Sequence, residues 1–333
     1  MVIIENYSVA VVMCFITMLC WGSWANTQKL ATRSWPFQLF YWDYGFGVLI
    51  ISLIAALTAG SFGAEGRSFF TDLSQAGGQA IWWALLGGII FNLGNILLVG
   101  AVDIAGLAVA FPLAIGLALI IATITNYITN PVGNPWMIFL GIGSVVIALV
   151  ADAIAYKRLP SDGKKTPMKG FILSILAGIT MGFFYPFVAA SMSPDFTNLE
   201  PGKLSPYTAV LFFSVGLVLS SFIFNTLIMA RPFAGSRVPF GDYFRKGTPR
   251  LHLIGILGGI IWGVGMILSI LSAGPAGYAI SYGLGAQGGT MVAAIWGIFI
   301  WKEFKGAPRN TNTLLAIMFL FYIVGLVLVI AAR

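Results

Sequence analysis

Ten apolar runs of about 20 residues follow one another along the chain, with only short polar breaks between them. They fall at about 8–28, 37–59, 80–101, 105–128, 136–156, 169–191, 206–230, 251–272, 276–300 and 312–332. A helix needs about 20 apolar residues to cross the hydrocarbon core of a bilayer. The pattern therefore predicts ten membrane-spanning helices with no soluble domain between them. The breaks at 101–105 and 272–276 are short enough that each joins a tight helical hairpin. The longest breaks, 59–79, 157–168, 192–205 and 231–250, are polar or contain Gly and Pro.

The two hairpins echo each other. Leu86 to Leu117, shifted by 171 positions, align without a gap to Leu257 to Gly288, and 12 of the 32 positions are identical. Leu86-Gly87-Gly88-Ile89-Ile90 returns as Leu257-Gly258-Gly259-Ile260-Ile261, and Ala105-Gly106 returns as Ala276-Gly277. Self-similarity at a fixed shift marks an internal duplication. The shift pairs the third and fourth runs with the eighth and ninth, so the unit is five helices. Five is odd, so the second copy enters the membrane from the other side. The expected fold is an all-α integral membrane protein of ten transmembrane helices in two five-helix inverted-topology repeats. The repeats span 1–156 and 169–333, with a cytoplasmic linker at 157–168. Secondary transporters reuse this plan, with the solute site near the midplane between the halves. Gly255, Gly259 and Gly263, and Gly178 and Gly182, are spaced for close helix packing in lipid.

Composition supports the class and adds an orientation. Hydrophobic residues make up 59% of the chain and charged residues 9%, with mean hydropathy +0.93; a soluble domain carries about 25% charged residues. Of 18 lysines and arginines, fifteen fall in breaks that follow odd-numbered runs, and only Arg67, Lys203 and Arg333 fall on the other side. The positive-inside rule then places the odd breaks in the cytoplasm and both termini outside. The expected location is a bacterial inner (plasma) membrane. The net charge of +7 follows from basic loops facing an anionic inner leaflet, and no nucleic-acid partner is needed. The first residues lack a basic signal-peptide start, so the first run reads as a retained span. Cys14 and Cys20 lie on different faces of that run. His252, the lone histidine, sits beside Arg250 at a membrane edge. Little material remains for a catalytic triad or a metal cluster, so neither an enzyme nor a cofactor is expected.

Polar side chains inside a span are costly and mark candidate sites. Asp43 lies about six residues into the second run, roughly 9 Å deep at about 1.5 Å per residue. It is the candidate coupling or gating acid; the alternative is a carboxylate that reaches back to Lys29 or Arg33. Asp152 reads as half of a local pair with Tyr156 and Lys157, Asp103 as a turn residue, and Glu303 as interfacial. Asn92 and Asn95 share one helix face. They suit a neutral polar ligand or an interhelical hydrogen bond, the latter worth about 0.6–2 kcal/mol in membranes. Their repeat partners are Gly263 and Met266, so the duplicated scaffold does not require the amides. Trp24, with Trp21 and Gln28 on its face, is either lining or interfacial belt. Tyr185-Pro186 and Phe111-Pro112 put prolines in mid-span, tolerated where protein or a cavity surrounds them. Trp262, which keeps the aromatic character of its partner Phe91, Tyr282 with Tyr278, and Gln287 complete a candidate chamber. Flat aromatic walls with a few amides suit a neutral, hydrogen-bonding ring solute such as a sugar, nucleobase, nucleoside or ureide. No intramembrane Lys or Arg offers a phosphate site.

Several stretches carry a family resemblance: Cys20-Trp21-Gly22-Ser23-Trp24, Tyr41-Trp42-Asp43-Tyr44, Leu93-Gly94-Asn95, Thr125-Asn126-Tyr127, Ala276-Gly277-Tyr278-Ala279, and Ile295-Trp296-Gly297 through Trp301-Lys302-Glu303-Phe304. In their order the chain resembles the drug/metabolite transporter superfamily. Within it, the chain is similar to the branch of glucose/ribose porters and L-rhamnose transporters and, more closely, the ureide permeases. The resemblance covers essentially the full chain. It implies alternating-access uptake of a small neutral metabolite, coupled to protons in the ureide permease branch. Three features depart from the family pattern. The charge count puts the termini outside, the long hydrophilic central loop of plant ureide permeases is absent, and no phosphate-cradling glycine loop occurs. The alternatives are a drug or metabolite efflux pump and a non-transporting membrane sensor or structural protein.

Overall fold

The computed structural model describes residues 1–31, 35–105, 107–159, 168–233 and 236–333, with backbone alone at 103, 107–109, 111 and 112. Arg33, Gly106, Lys164, Lys165 and most of the 157–168 linker lie outside the described residues, as do the side chains of Asp103, Phe111 and Pro112. The first apolar run folds as α1 (Tyr7–Ser23) and α2 (Ala25–Ala31), which meet at Trp24. Then come α3 (Phe37–Leu57), a short α4 (Phe69–Gln75), α5 (Gly78–Ala105), α6 (Leu107–Thr129), α7 (Pro135–Lys157), α8 (Met168–Ser191) and α9 (Pro206–Ala230). A short α10 (Asp242–Arg245) precedes α11 (Pro249–Ala276) and α12 (Tyr278–Ile295). A π-helical turn at Trp296–Ile300 extends α12, and α13 (Thr311–Ile330) ends the fold. Among the described residues, nine helices are long and apolar enough to cross a membrane; in α6 the apolar stretch described in full is Leu113–Thr129.

Local sequence explains several starts. Asn134, Ser205 and Thr248 each accept a backbone N–H of the following first turn, and each is followed by proline. The side-chain oxygen satisfies an orphan donor, and proline at the first helical position has no N–H to leave unpaired. The C-terminus of α11 turns at Gly277, φ +83°, where any side chain would also strike Val132.

The bundle has two chemically distinct ends. At one, here the terminal end, the Tyr7 hydroxyl donates to the Ile330 carbonyl and the Asn134 amide to the Ala332 carbonyl, both at 2.6 Å. Arg67 there clamps the carbonyls of Leu199, Glu200 and Lys203 and pairs with buried Asp72 at 3.0 Å. The opposite, basic end gathers Lys29, Arg158, Lys169 and the α10 segment with Arg245 and Lys246. Among the described residues, the two groups separated by the charge count thus collect at opposite ends.

The helices pack in matching pairs. α5 and α6 lie on α8, while α11 and α12 lie on α1; α11 packs on α3, and α5 on α9; α7 pairs with α13. The tightest crossings rely on glycine. Gly47 sits on the Ile256 carbonyl and Gly259 on that of Tyr44; Gly216 sits on the Leu85 carbonyl and Gly88 on that of Phe213. No side chain fits at any of the four. In lipid, where no hydrophobic force drives helices together, such backbone contact supplies the packing attraction.

Candidate substrate site

A cavity of about 110 Å³ lies where α1, α5, α6, α8, α11 and α12 converge. Six of its fifteen lining residues are aromatic: Trp21, Trp24, Phe91, Phe184, Trp262 and Tyr282. Trp21 stacks on Trp262 at 5.9 Å between centroids, and Phe91 lies 4.4 Å from Trp262. Phe184 meets Tyr282 edge-on at 5.9 Å. The Trp21 indole N–H donates to the Trp262 carbonyl at 3.2 Å, which fixes the stack. Asn95, Tyr282 and Thr290 bring polar groups to this lining, and Leu98, Ile115, Ala118, Met181, Ala286, Gly289 and Ala293 fill the rest. Apolar walls with a few placed polar groups are the usual form of a small-molecule site.

Thr290 and Ala293 also line a second cavity of about 360 Å³ that adjoins the chamber on its basic side. Charged and amide side chains line part of this vestibule. Lys29 pairs with Glu303, and the Tyr156 hydroxyl donates to the other Glu303 oxygen at 2.6 Å. The Trp301 indole donates to Asn26 at 2.6 Å. Asp152 lines the same space, and its Oδ1 is buried with no hydrogen-bond partner among the described residues.

Toward the terminal end the chamber is closed by buried hydroxyls. The Tyr185 ring packs 4.8 Å from Tyr282, and its hydroxyl bonds Ser269 at 3.0 Å. Ser269 and Ser272 both bond Ser281, and Ser272 lies 3.4 Å from the Cys14 thiol.

Trp24, Asn95, Trp262 and Tyr282 are therefore brought together on the chamber wall. Asn92 lies one layer behind. It accepts from Tyr41 at 2.8 Å and donates to Ser220 and Ser221, tying α5 to α3 and α9, while Asn95 donates to Tyr41 at 3.2 Å. Tyr185 belongs to the terminal-side closure. Gln287 is fully buried without a partner among the described residues. Its amide lies against Gly283, near Ile142 of α7 and Val329 of α13, off the chamber.

Asp43 lines neither cavity. It is buried at the basic end, where both oxygens face His252 Nδ1 at 2.9 and 3.0 Å and Oδ1 accepts from the Tyr243 hydroxyl at 2.6 Å. Gly255 leaves the space that Asp43 fills. The partner considered from sequence, Lys29, is engaged with Glu303. Burial and the neighbouring Asp43 carboxylate push the Tyr243 hydroxyl up from its ordinary range, so it stays a donor. Phe184, Met181 and Thr290 were not singled out from sequence; Phe184 adjoins Tyr185, Met181 carries no polar or charged signal, and the Thr290 hydroxyl can satisfy itself on its own helix, as it does on the Gln287 carbonyl at 2.6 Å. Among the described residues, no three His, Cys, Asp or Glu side chains come together as a metal site.

The family model of ureide permeases matches residues 40–166 and 155–332. Ureide permease 1 of Arabidopsis thaliana is 25% identical over 389 residues, covering 100% of this chain and 99% of its own length. Ureide permease 2 of the same plant is 22% identical, with the same coverage of both chains. A Streptococcus agalactiae protein described as a sugar uptake protein is 23% identical over 255 residues, 75% of this chain and 78% of its own. A crystal structure of a protein with 14% sequence identity superposes with a TM-score of 0.60, covering 96% of this chain and 97% of that one. That likeness concerns the fold alone. With the family model spanning nearly all of the helical bundle, the chain belongs to the ureide permease family, integral membrane transporters rather than enzymes.

Proposed function

We propose that the protein is a secondary active transporter that imports a small neutral polar solute, a ureide first among the candidates, by alternating access coupled to protons. The aromatic chamber carries this reading. It offers stacking faces and the Asn95 amide but no charged side chain, which suits a flat, uncharged, hydrogen-bonding ring. The names of the plant relatives favour ureides. The streptococcal relative keeps sugars in view, because an aromatic face also accepts the apolar side of a sugar ring.

The reading includes ten spans, with α6 as the tenth, arranged as inverted repeats 1–156 and 169–333. The chamber walls support it. The 171-position shift relates Phe91 to Trp262, Ile115 to Ala286 and Ala118 to Gly289, and all six line the chamber. Gly22 sits on Gly289 and Val292 as Gly182 sits on Ala118 and Ile121. That match relates Trp21 to Met181 and Trp24 to Phe184, which are lining residues too. A pseudo-two-fold axis through the chamber accounts for all five pairs. Of the unpaired lining residues, Asn95, Leu98, Thr290 and Ala293 all lie toward the basic end of their helices. Their shifted counterparts are Met266, Ser269, Leu119 and Ala122. The described state opens toward the basic end, and the opposite state exchanges the first set for the second by breaking the Tyr185–Ser269 closure. The basic end faces the cytoplasm of a bacterial inner membrane, and the termini face outside. Asp43, clasped between α10 and α11, acts as a gating latch.

Purified protein in a thermal-shift screen over ureides, nucleobases, nucleosides and sugars tests the solute class, since a ligand of the folded state raises apparent stability. Counterflow in proteoliposomes then tests transport. Allantoin, the ureide probe, is expected to shift the melting curve and to exchange. No exchange of any panel solute overturns the transport reading in favour of a sensor or structural role.

A further inference from the structure

We propose that Asp152 is the residue that carries the coupling proton, an inference that rests on the transport reading above. Two carboxylates face the vestibule, and they are not equivalent. Glu303 is served on both oxygens, by the Lys29 ammonium and the Tyr156 hydroxyl. Those two groups are thereby committed. Asp152, one turn before Tyr156 on α7, keeps a buried oxygen with no donor among the described residues. An ionised carboxylate left bare at such a place is costly, and a bound proton removes that cost without moving a helix.

The titratable and charged groups around Asp152 are Tyr156 of its own helix, Glu303 beyond the π-helical turn, Tyr322 of α13 and Lys29 of α2. The described part of α6 brings no charged side chain. Tyr322 faces Thr290, whose side chain lines chamber and vestibule alike. Asp152 thus borders the vestibule, and Tyr322 and Thr290 stand between it and the chamber. Asp43 differs: both its oxygens are engaged, and it borders neither space.

The step is a plain proton exchange. With the chamber open to the terminal side, the Asp152 carboxylate takes up a proton that enters from that solution as the solute binds. After reorientation the carboxylic O–H gives that proton to vestibule water, and the carboxylate is restored as the solute leaves. One proton accompanies each solute, and no other bond changes.

Asp152→Asn in proteoliposomes separates this role from a structural one. Counterflow exchange of allantoin is expected to remain measurable. Accumulation driven by an imposed pH gradient is expected to vanish, together with solute-evoked proton entry read by a trapped pH dye. Asp152→Glu, which restores the carboxyl, recovers accumulation with a displaced pH profile, and it serves if the amide variant folds poorly. Gradient-driven accumulation and proton entry at wild-type levels in Asp152→Asn overturn the proposal. Wild-type protein that neither exchanges nor accumulates any solute of the panel overturns the transport reading instead; if another panel solute exchanges and allantoin does not, that solute replaces allantoin in these assays. A solute-free measurement stands beside these. Within the infrared carboxylic-acid signal of the purified protein, followed against pH, the component that titrates apart from the exposed carboxylates is expected to be lost in Asp152→Asn and kept in Asp43→Asn; the reverse pattern also overturns the proposal.

Discussion

Asn92 and Asn95 look alike in the sequence, three positions apart on one apolar helix. What separates them is tertiary. Asn92 finds Ser220 and Ser221, some 128 residues away, whereas Asn95 keeps a single long bond to Tyr41 and meets the chamber. Asn92→Ala is therefore expected to lower thermal stability by about 1–2 kcal/mol, the scale of interhelical hydrogen bonds in membranes. Asn95→Leu is expected to leave the melting temperature nearly unchanged while raising the apparent KM for the solute about tenfold, equivalent to about 1.4 kcal/mol of lost binding. Melting curves and uptake kinetics on the two variants check this; equal effects on both readouts would remove the distinction. The same limit applies to Asp43 and His252, which stand 209 positions apart and meet at 2.9 Å. Sequence marks a buried carboxylate as costly, but only the fold names its partner, and only the fold shows that Asp152, read as a local edge pair, keeps a bare oxygen.

At the scale of elements, the apolar runs were legible because a bilayer leaves a backbone few options: it must satisfy its own hydrogen bonds, and a helix does so. The Asn-Pro, Ser-Pro and Thr-Pro starts of α7, α9 and α11 are local capping signals that the reading of apolar runs passed over. Which face of each helix packs was not readable, since these helices are apolar all round and lipid is as apolar as a neighbouring helix. The break at Trp24 and the π-helical turn after α12 also left no trace in the hydrophobic pattern. Glycine spacing was the better guide. Gly47 and Gly216 occupy matching crossings, α3 on α11 and α9 on α5. Leucine at either is expected to push the crossing apart and cost about 1–3 kcal/mol as overpacking. Size-exclusion profiles and melting curves of Gly47→Leu and Gly216→Leu check this, with Gly143→Leu, which has open space, as the control expected to behave like wild type.

For the whole molecule, the charge count separated two groups of basic residues that lie at opposite ends of the described bundle. Which way the proposed chamber opens is not legible in the sequence, because the proposed duplication is compatible with either state. If the halves alternate, Thr290→Cys reacts with an impermeant thiol reagent from the cytoplasmic side, and bound solute protects it. Ser269→Cys reacts from the outside only when the opposite state is populated. Labelling of both from one side would rule out the exchange of linings. Reporter fusions after Arg333 are expected to behave as extracytoplasmic. The two ends also differ in kind. The terminal-side closure is made of neutral hydroxyls around Tyr185 and Ser281, while the other end is braced by the partly exposed Lys29–Glu303 pair. Dissolved ions screen an exposed pair and leave buried hydroxyls untouched. Under the import orientation proposed above, ionic strength at the basic end, but not at the terminal end, should therefore change how fast the empty carrier resets, which would make turnover sensitive to the salt content of the cell it feeds.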